Sequence, residues 1–209
     1  MRCPACRNEI HEGDAACTAC GFTLAALDPH LGIPPQLTPP VVDMAQVLSS
    51  GARRTLAQAT RHAEQHFPDL HAVVITAAVP AQFTPELYAF WLFNRTSLFS
   101  EVEKGGDNHG VLLLLDTQSA RCAAMIGYGL EPLMPMPALE TSLTAATPYL
   151  IKQNYASAGL AFFRELERQL ELASENWPRA FGYSESMPWF DSSTGSLLTS
   201  TQSVSEDLY

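Results

Sequence analysis

The stretch that decides the fold is GVLLLLDTQSARCAAMIGYGLE, residues 110–131. Val111–Leu115 is a continuous apolar run bounded by Gly110 and Asp116, too short for a free-standing helix. Such a run suits a central strand covered on both faces. Five polar-leaning residues follow, and Cys122–Ile126 is a second apolar run of strand length. So short a connection predicts an antiparallel hairpin, because a parallel partner needs a crossover. Each buried Leu, Ile or Val contributes roughly 1.5–3 kcal/mol relative to exposure, so this hairpin anchors a sizeable core. It ends in Gly127-Tyr128-Gly129-Leu130-Glu131, where two glycines let the backbone turn sharply as it leaves the sheet.

Upstream, His71–Ala77 is β-branched and apolar in its middle and reads as a buried strand. Thr84-Pro85 predicts a helix from Pro85 to about Phe99, with Thr84 as cap and Pro85 at the first helical position. That crossover helix makes the strands at 71–77 and 111–115 parallel. Before them, a helix is predicted from Ser49 or Ser50 to about Phe67, with Leu56, Ala59, Ala63 and Phe67 as its buried stripe. His62 and His66 stand four apart on it; they could share a metal, but beside Gln58 and Gln65 they read as part of a solvated face. Downstream, helices are expected over about Ala138–Asn154 and Tyr155–Glu175, the second amphipathic through Phe162, Phe163, Leu166, Leu170 and Ala173. The fold class is α/β: a mixed-sheet α/β/α sandwich, preceded by an N-terminal zinc ribbon.

The ribbon occupies residues 1–22. Cys3/Cys6 and Cys17/Cys20 are two Cys-x-x-Cys pairs with ten residues between them. Each pair can turn two thiolates toward one point, and two such turns make a closed tetrahedral S4 site for a structural Zn2+. Disulfides or unrelated free thiols are the alternatives; the paired spacing, with no export signal in view, favours metal ligation and a reducing, cytoplasmic location. Arg7 stands where such ribbons often carry glycine. Residues 23–40 hold Pro29, Pro34, Pro35, Pro39 and Pro40 and read as a largely extended linker, which Leu24, Leu27 and Leu31 could instead tether to a neighbour. An extended linker would leave the ribbon and the main domain, residues 41–175, thermodynamically independent. The tail, residues 176–209, is aromatic and then rich in Ser and Thr, and its last stretch is expected to be disordered.

The 209 residues carry a net charge of −10, a poor match for a phosphate backbone, so nucleic acid is not an expected partner. No apolar run is long enough to cross a bilayer, so no membrane anchor is expected.

VVDMAQVLS before the first long helix, the strand VVIT, the segment DNHGVLLLL and the turn GYGLE together resemble the TPM domain family over roughly Val41 to Ala173. This family includes thylakoid-lumen phosphatases, photosystem-repair factors and many bacterial envelope proteins. The resemblance implies an α/β sandwich, and in some members acid phosphatase activity or binding of calcium or other metals. Asp43 is one of the motif residues. Topology places Asp107, Asn108 and His109 on the same rim of the sheet as Glu131, a set suited to weak binding of Ca2+ or Mg2+. Asp43, Asp107 and Glu131 are therefore the candidate catalytic residues. Two departures weigh against hydrolysis. Many members carry an aspartate just after the GYGLE-like turn, where this chain reads Leu133-Met134-Pro135-Met136-Pro137. Many also carry Gly-Asp before the last helix, where this chain has Gln153-Asn154. The expected function is an adaptor binding protein partners, with a metal-dependent phosphatase as the alternative.

Overall fold

The computed structural model describes residues 2–11, 14–96, 98–99, 109–180, 190–191 and 196–197. The chain divides into two compact units, Met1–Leu170 and Glu171–Tyr209. In the larger unit a four-stranded mixed sheet has the order β1-β2-β3-β4, with β1 at Val41–Asp43, β2 at His71–Ala77, β3 at Gly110–Asp116 and β4 at Cys122–Ile126. β1, β2 and β3 run parallel, and β4 returns antiparallel to β3 with Leu113 opposite Ala124. The hairpin and the parallel pair are those expected from the apolar runs. β1 is the strand that the sequence reading did not anticipate: three residues are too few for a periodic signal, and it forms by pairing Val41, Val42 and Asp43 with Val74, Ile75 and Thr76.

The helices begin at or near the positions read from the sequence. The crossover helix, however, ends at Arg95, with Thr96 extended, short of the expected Phe99, and the helix expected to reach Asn154 ends at Leu150. Helix α2, Ser50–His66, starts where the Ser49 side chain accepts from the Ala52 N–H, and α3, Pro85–Arg95, starts where Thr84 accepts from Leu87 N–H. Helix α4 covers Met136–Leu150 and α5 covers Tyr155–Ala180. Alternation along the strands sends side chains to two cores. Val74, Val111, Leu113 and Leu115 meet Leu56, Ala63, Leu139, Phe162 and Leu166 from α2, α4 and α5 on one face. Val73, Ile75, Leu112 and Leu114 meet Trp91 and Leu92 of α3 on the other. All seven residues of β3 are buried, as a strand covered on both faces requires.

The proline-rich segment 23–40 differs from the extended linker read from its prolines. It folds into a short 3-10 turn, Leu24–Ala26, and a one-turn helix α1, Asp28–Leu31. Leu27 is buried in the α3-side core, and Leu24, Leu31 and Leu37 pack against it. The Asp28 carboxylate accepts from Trp91 Nε1 at 3.0 Å and from Arg95 Nε and Nη2 at 3.0 and 2.7 Å. Leucine burial and a forked carboxylate–guanidinium pair outweigh the extended preference of isolated prolines. The alternative of a leucine tether is the one the structure adopts.

In the smaller unit α5 runs to Ala180, and Phe190–Asp191 pairs antiparallel with Ser196–Leu197. Phe181, Tyr183 and Trp189 of the tail lie outside the described residues. Among the described residues, no helix is long and apolar enough to cross a membrane.

Candidate functional site

The four cysteines converge as their spacing predicts. Each Cys-x-x-Cys pair sits on the same backbone device: Arg7 N–H donates to Cys3 O and Cys3 N–H to Asn8 O, while Gly21 N–H donates to Cys17 O and Cys17 N–H to Phe22 O. The residue after each second cysteine is left-handed, Arg7 at φ 64° and Gly21 at φ 71°. Arg7 therefore occupies a glycine-type position, as the comparison with other ribbons implies, and carries the strain of a side chain there. The sulfurs lie 3.8 Å apart for Cys3 and Cys20 and 3.6 Å for Cys6 and Cys17, and all four fall within 4.8 Å of one another. A tetrahedral centre with metal–sulfur bonds of ~2.3 Å has sulfur–sulfur edges of roughly 3.8 Å, so the donor set fits a metal such as zinc without rearrangement. These separations are far too long for disulfide bonds. The Cys17 thiol is drawn down to about 7, first by the Cys20 backbone N–H. At Cys20 the Phe22 backbone N–H also favours the thiolate, but burial and the thiols of Cys6, Cys17 and Cys3 outweigh it and push the group up to about 12.

Asp43 and Asp116 stand at the carboxyl ends of the parallel strands, where ligands of open α/β sheets often bind. Both carboxylates are already engaged. Asp43 accepts from the N–H groups of Val47 and Leu48 at 3.0 Å each, from the Thr76 hydroxyl at 2.5 Å and from Arg53 Nη2 at 2.9 Å. Asp116 accepts from the N–H groups of Val79 and Gln118 at 3.0 Å each, from that of Ser119 at 3.2 Å and from the Ser119 hydroxyl. Each aspartate holds a loop against its strand end. Arg121, next to the hairpin turn, pairs instead with Glu86 of α3 at 2.7 Å.

At the opposite rim, His109 and Glu131 border different cavities. His109 lines one of about 190 Å3 with His66, Asp69 and Leu133. Glu131 lines one of about 550 Å3 with Arg2, Arg7, Met125 and Met136. Asp107 and Asn108, the other members of the expected set, lie outside the described residues. Met134, in the stretch where the resemblance implies an aspartate, is buried, and Met136 packs against the core. Gln153-Asn154 keeps the backbone role of a Gly-Asp pair. Gln153 is left-handed at φ 55°, and the Asn154 side chain accepts from Ser157 N–H to cap α5. Cys122 reaches only the Leu143 carbonyl at 3.7 Å, and burial pushes its thiol up to about 11, so it is a packing residue.

The feature that sequence reasoning missed is the larger cleft, which joins ribbon residues Arg2, Arg7 and Asn8 to the edge strand β4. Asp116 N–H donates to Arg121 O and Gly127 N–H to Gly110 O, which fixes the hydrogen-bonded phase of the β3–β4 ladder. By alternation the backbone N–H and C=O of Cys122, Ala124 and Ile126 point away from β3. Ala124 and Ile126 line the cleft. No sequence signal marks this, because it arises from folding residues 1–40 back onto the sheet.

The TPM domain family model matches residues 41–169. Among solved structures, the chain is similar to the N-terminal domain of a P. gingivalis protein, with 24% identity, a TM-score of 0.47 and coverage of 64% of this chain and 82% of that one. It is also similar to the N-terminal domain of a Corynebacterium glutamicum protein, with 15% identity, a TM-score of 0.49 and the same coverages. A protein from the psychrophilic bacterium Bizionia argentinensis aligns at 12% identity and a TM-score of 0.52 over 62% of this chain and 86% of that one, a likeness of fold. No curated protein matches the chain.

Proposed function

We propose, for a chain that belongs to the TPM domain family, that it binds a protein partner in the cleft between the four-cysteine ribbon and the outer edge of β4. The observation that carries this reading is that Ala124 and Ile126, whose backbone groups point away from β3, line a cleft of about 550 Å3 beside Arg2 and Arg7. An extended segment can add a strand to such an edge, with its main chain supplying affinity. Met125 and Met136, unbranched and polarisable, accept apolar side chains of varied shape, and Arg2 and Arg7 with Glu9 and Glu131 give the cleft a mixed-charge border. The ribbon holds one structural Zn2+ through Cys3, Cys6, Cys17 and Cys20, which fixes Arg2 and Arg7 at the cleft wall. Four thiolates on zinc suit a reducing compartment, and the adaptor works there. A hydrolytic reading has less support, because Asp43 and Asp116 use their carboxylates to hold loops.

The test places a photocrosslinking residue at Asn8 or Met125 in the full chain inside cells, with a control at exposed Glu140 on α4. The expected result is one common partner trapped from both cleft positions and not from the control. Ala124→Pro removes an outward N–H at an edge position that tolerates proline, and should abolish the crosslinks while circular dichroism stays unchanged. In parallel, a generic phosphomonoester is offered with Mg2+, Ca2+ or Mn2+. Robust turnover lost in Glu131→Gln, or crosslinks indifferent to Ala124→Pro, would overturn the proposal. Zinc content near one per chain, lost in Cys3→Ser, tests the ribbon separately.

A further inference from the structure

His62 and His66 occupy one face of α2, and Glu167 projects from the neighbouring α5 toward them. His62 Nδ1 and Glu167 Oε1 are 3.0 Å apart. The two imidazoles meet edge to face with centroids 5.0 Å apart, and one donor atom from each of the three residues falls within 4.8 Å of the others. We propose that these three residues form a second metal site, separate from the cysteine cluster, for a divalent first-row transition ion such as Zn2+, Ni2+ or Co2+.

Three observations support this. The i, i+4 spacing puts both imidazoles over the same turn, the arrangement that lets two helical histidines reach one ion. The donor chemistry is two imidazoles and one carboxylate, which suits borderline transition ions and not Ca2+ or Mg2+, whose ligands are oxygens. The spacing is also close to what an ion needs. Bonds of ~2.0–2.1 Å in a tetrahedral site give donor–donor edges of roughly 3.3–3.4 Å, so the His62–Glu167 separation changes by only a few tenths of an ångström. Rotation of exposed His66 supplies the third contact. The carboxylate is largely withdrawn, with 15% of the Glu167 side chain exposed against 60% for His62, which places the anionic ligand beneath the two exposed imidazoles.

Three protein ligands leave a coordination position open. His66 also lines the cavity of about 190 Å3 that Asp69 and His109 border. A bound ion would also clamp α2 to α5 across the packed face where Leu56, Phe162 and Leu166 meet.

Full-length protein with its cysteine site loaded with zinc is titrated with Co2+ and followed by optical absorption. The expected result is one further equivalent of Co2+ with ligand-field bands and no thiolate-to-cobalt charge transfer, together with a higher melting temperature. His66→Ala and Glu167→Gln should each remove that equivalent, while His30→Ala retains it. The side chains changed lie at the surface or its margin, and the melting of the metal-free variants checks that the fold persists. Absence of a second equivalent, its survival in His66→Ala, or undiminished binding in Glu167→Gln would each overturn the proposal, the last by showing that the carboxylate only hydrogen-bonds His62. Charge-transfer bands would mean that cobalt had entered the cysteine cluster instead, which also counts against a separate site.

Discussion

Asp43 shows how one residue reconciles burial with charge. Its side chain is fully enclosed, and burial opposes ionisation, yet the Thr76 hydroxyl, the Leu48 and Val47 N–H groups and Arg53 together hold the carboxyl below the ordinary aspartate range. A carboxyl lowered in the folded state contributes stability above its unfolded value of ~3.9, and loses it as pH falls through the folded value. Asp43→Asn should therefore cost roughly 1–3 kcal/mol at neutral pH, because an amide nitrogen would face the backbone donors. Urea unfolding from pH 7 down to pH 3 should show the gap between the two proteins closing below about pH 4. A gap that stays constant would assign the loss to packing. Gly159 presents a steric counterpart. A Cβ there would lie 2.3 Å from Cδ2 of Leu56, itself wholly buried. Gly159→Ala should destabilise by roughly 1–3 kcal/mol despite the better helix propensity of alanine, measured as a lower urea midpoint. Leu56→Ala should cost less in the Gly159→Ala background than alone, because the added methyl fills part of the space that the leucine leaves.

At the scale of elements, most of the architecture was legible because local signals and packing agree. Thr84 caps the helix that it was expected to cap, Ser49 caps the helix expected to begin at Ser49 or Ser50, and the runs 111–115 and 122–126 form the hairpin. Periodicity, caps and connection length sufficed there. β1 was not legible, since its three residues gain strand geometry only from pairing with β2. Nor was the turn before α5, where Gln153 and Asn154 look like a lost motif in the alphabet of residues but keep it in backbone geometry. That equivalence can be measured. Gln153→Gly removes a side chain from a left-handed position and should raise stability by up to about 1 kcal/mol. Asn154→Ala removes the helix cap and should cost about 1 kcal/mol. If Gln153→Gly instead destabilises, the Gln153 side chain contributes more than its backbone conformation costs.

At the scale of the molecule, the sequence showed which four cysteines come together but not the surface built around them. Cys3, Cys6, Cys17 and Cys20 announce themselves by spacing, a local property. The cleft beside β4 depends on how residues 1–40 return to the sheet, which proline content alone misrepresents. Two truncations separate the parts of that return. Residues 1–21 carry all four cysteines of the ribbon, and their loss leaves Phe22, Leu27 and Asp28 in place. Removing residues 1–36 also strips Leu27 from the α3-side core, unpairs Trp91 Nε1 and Arg95, and takes Phe22 from its 5.9 Å contact with Phe90. Leu27 alone accounts for roughly 1.5–3 kcal/mol of burial. The truncation at 21 should therefore melt close to the full chain, and the truncation at 36 several degrees lower, with Asp28→Ala in the full chain between them. The independence inferred from an extended linker predicts equal melting for both truncations. Equal values would mean that segment 23–40 packs on the sheet without stabilising it; a large drop at 21 would mean that the ribbon itself braces the edge strand, and that loading zinc stabilises the sheet as well as the ribbon.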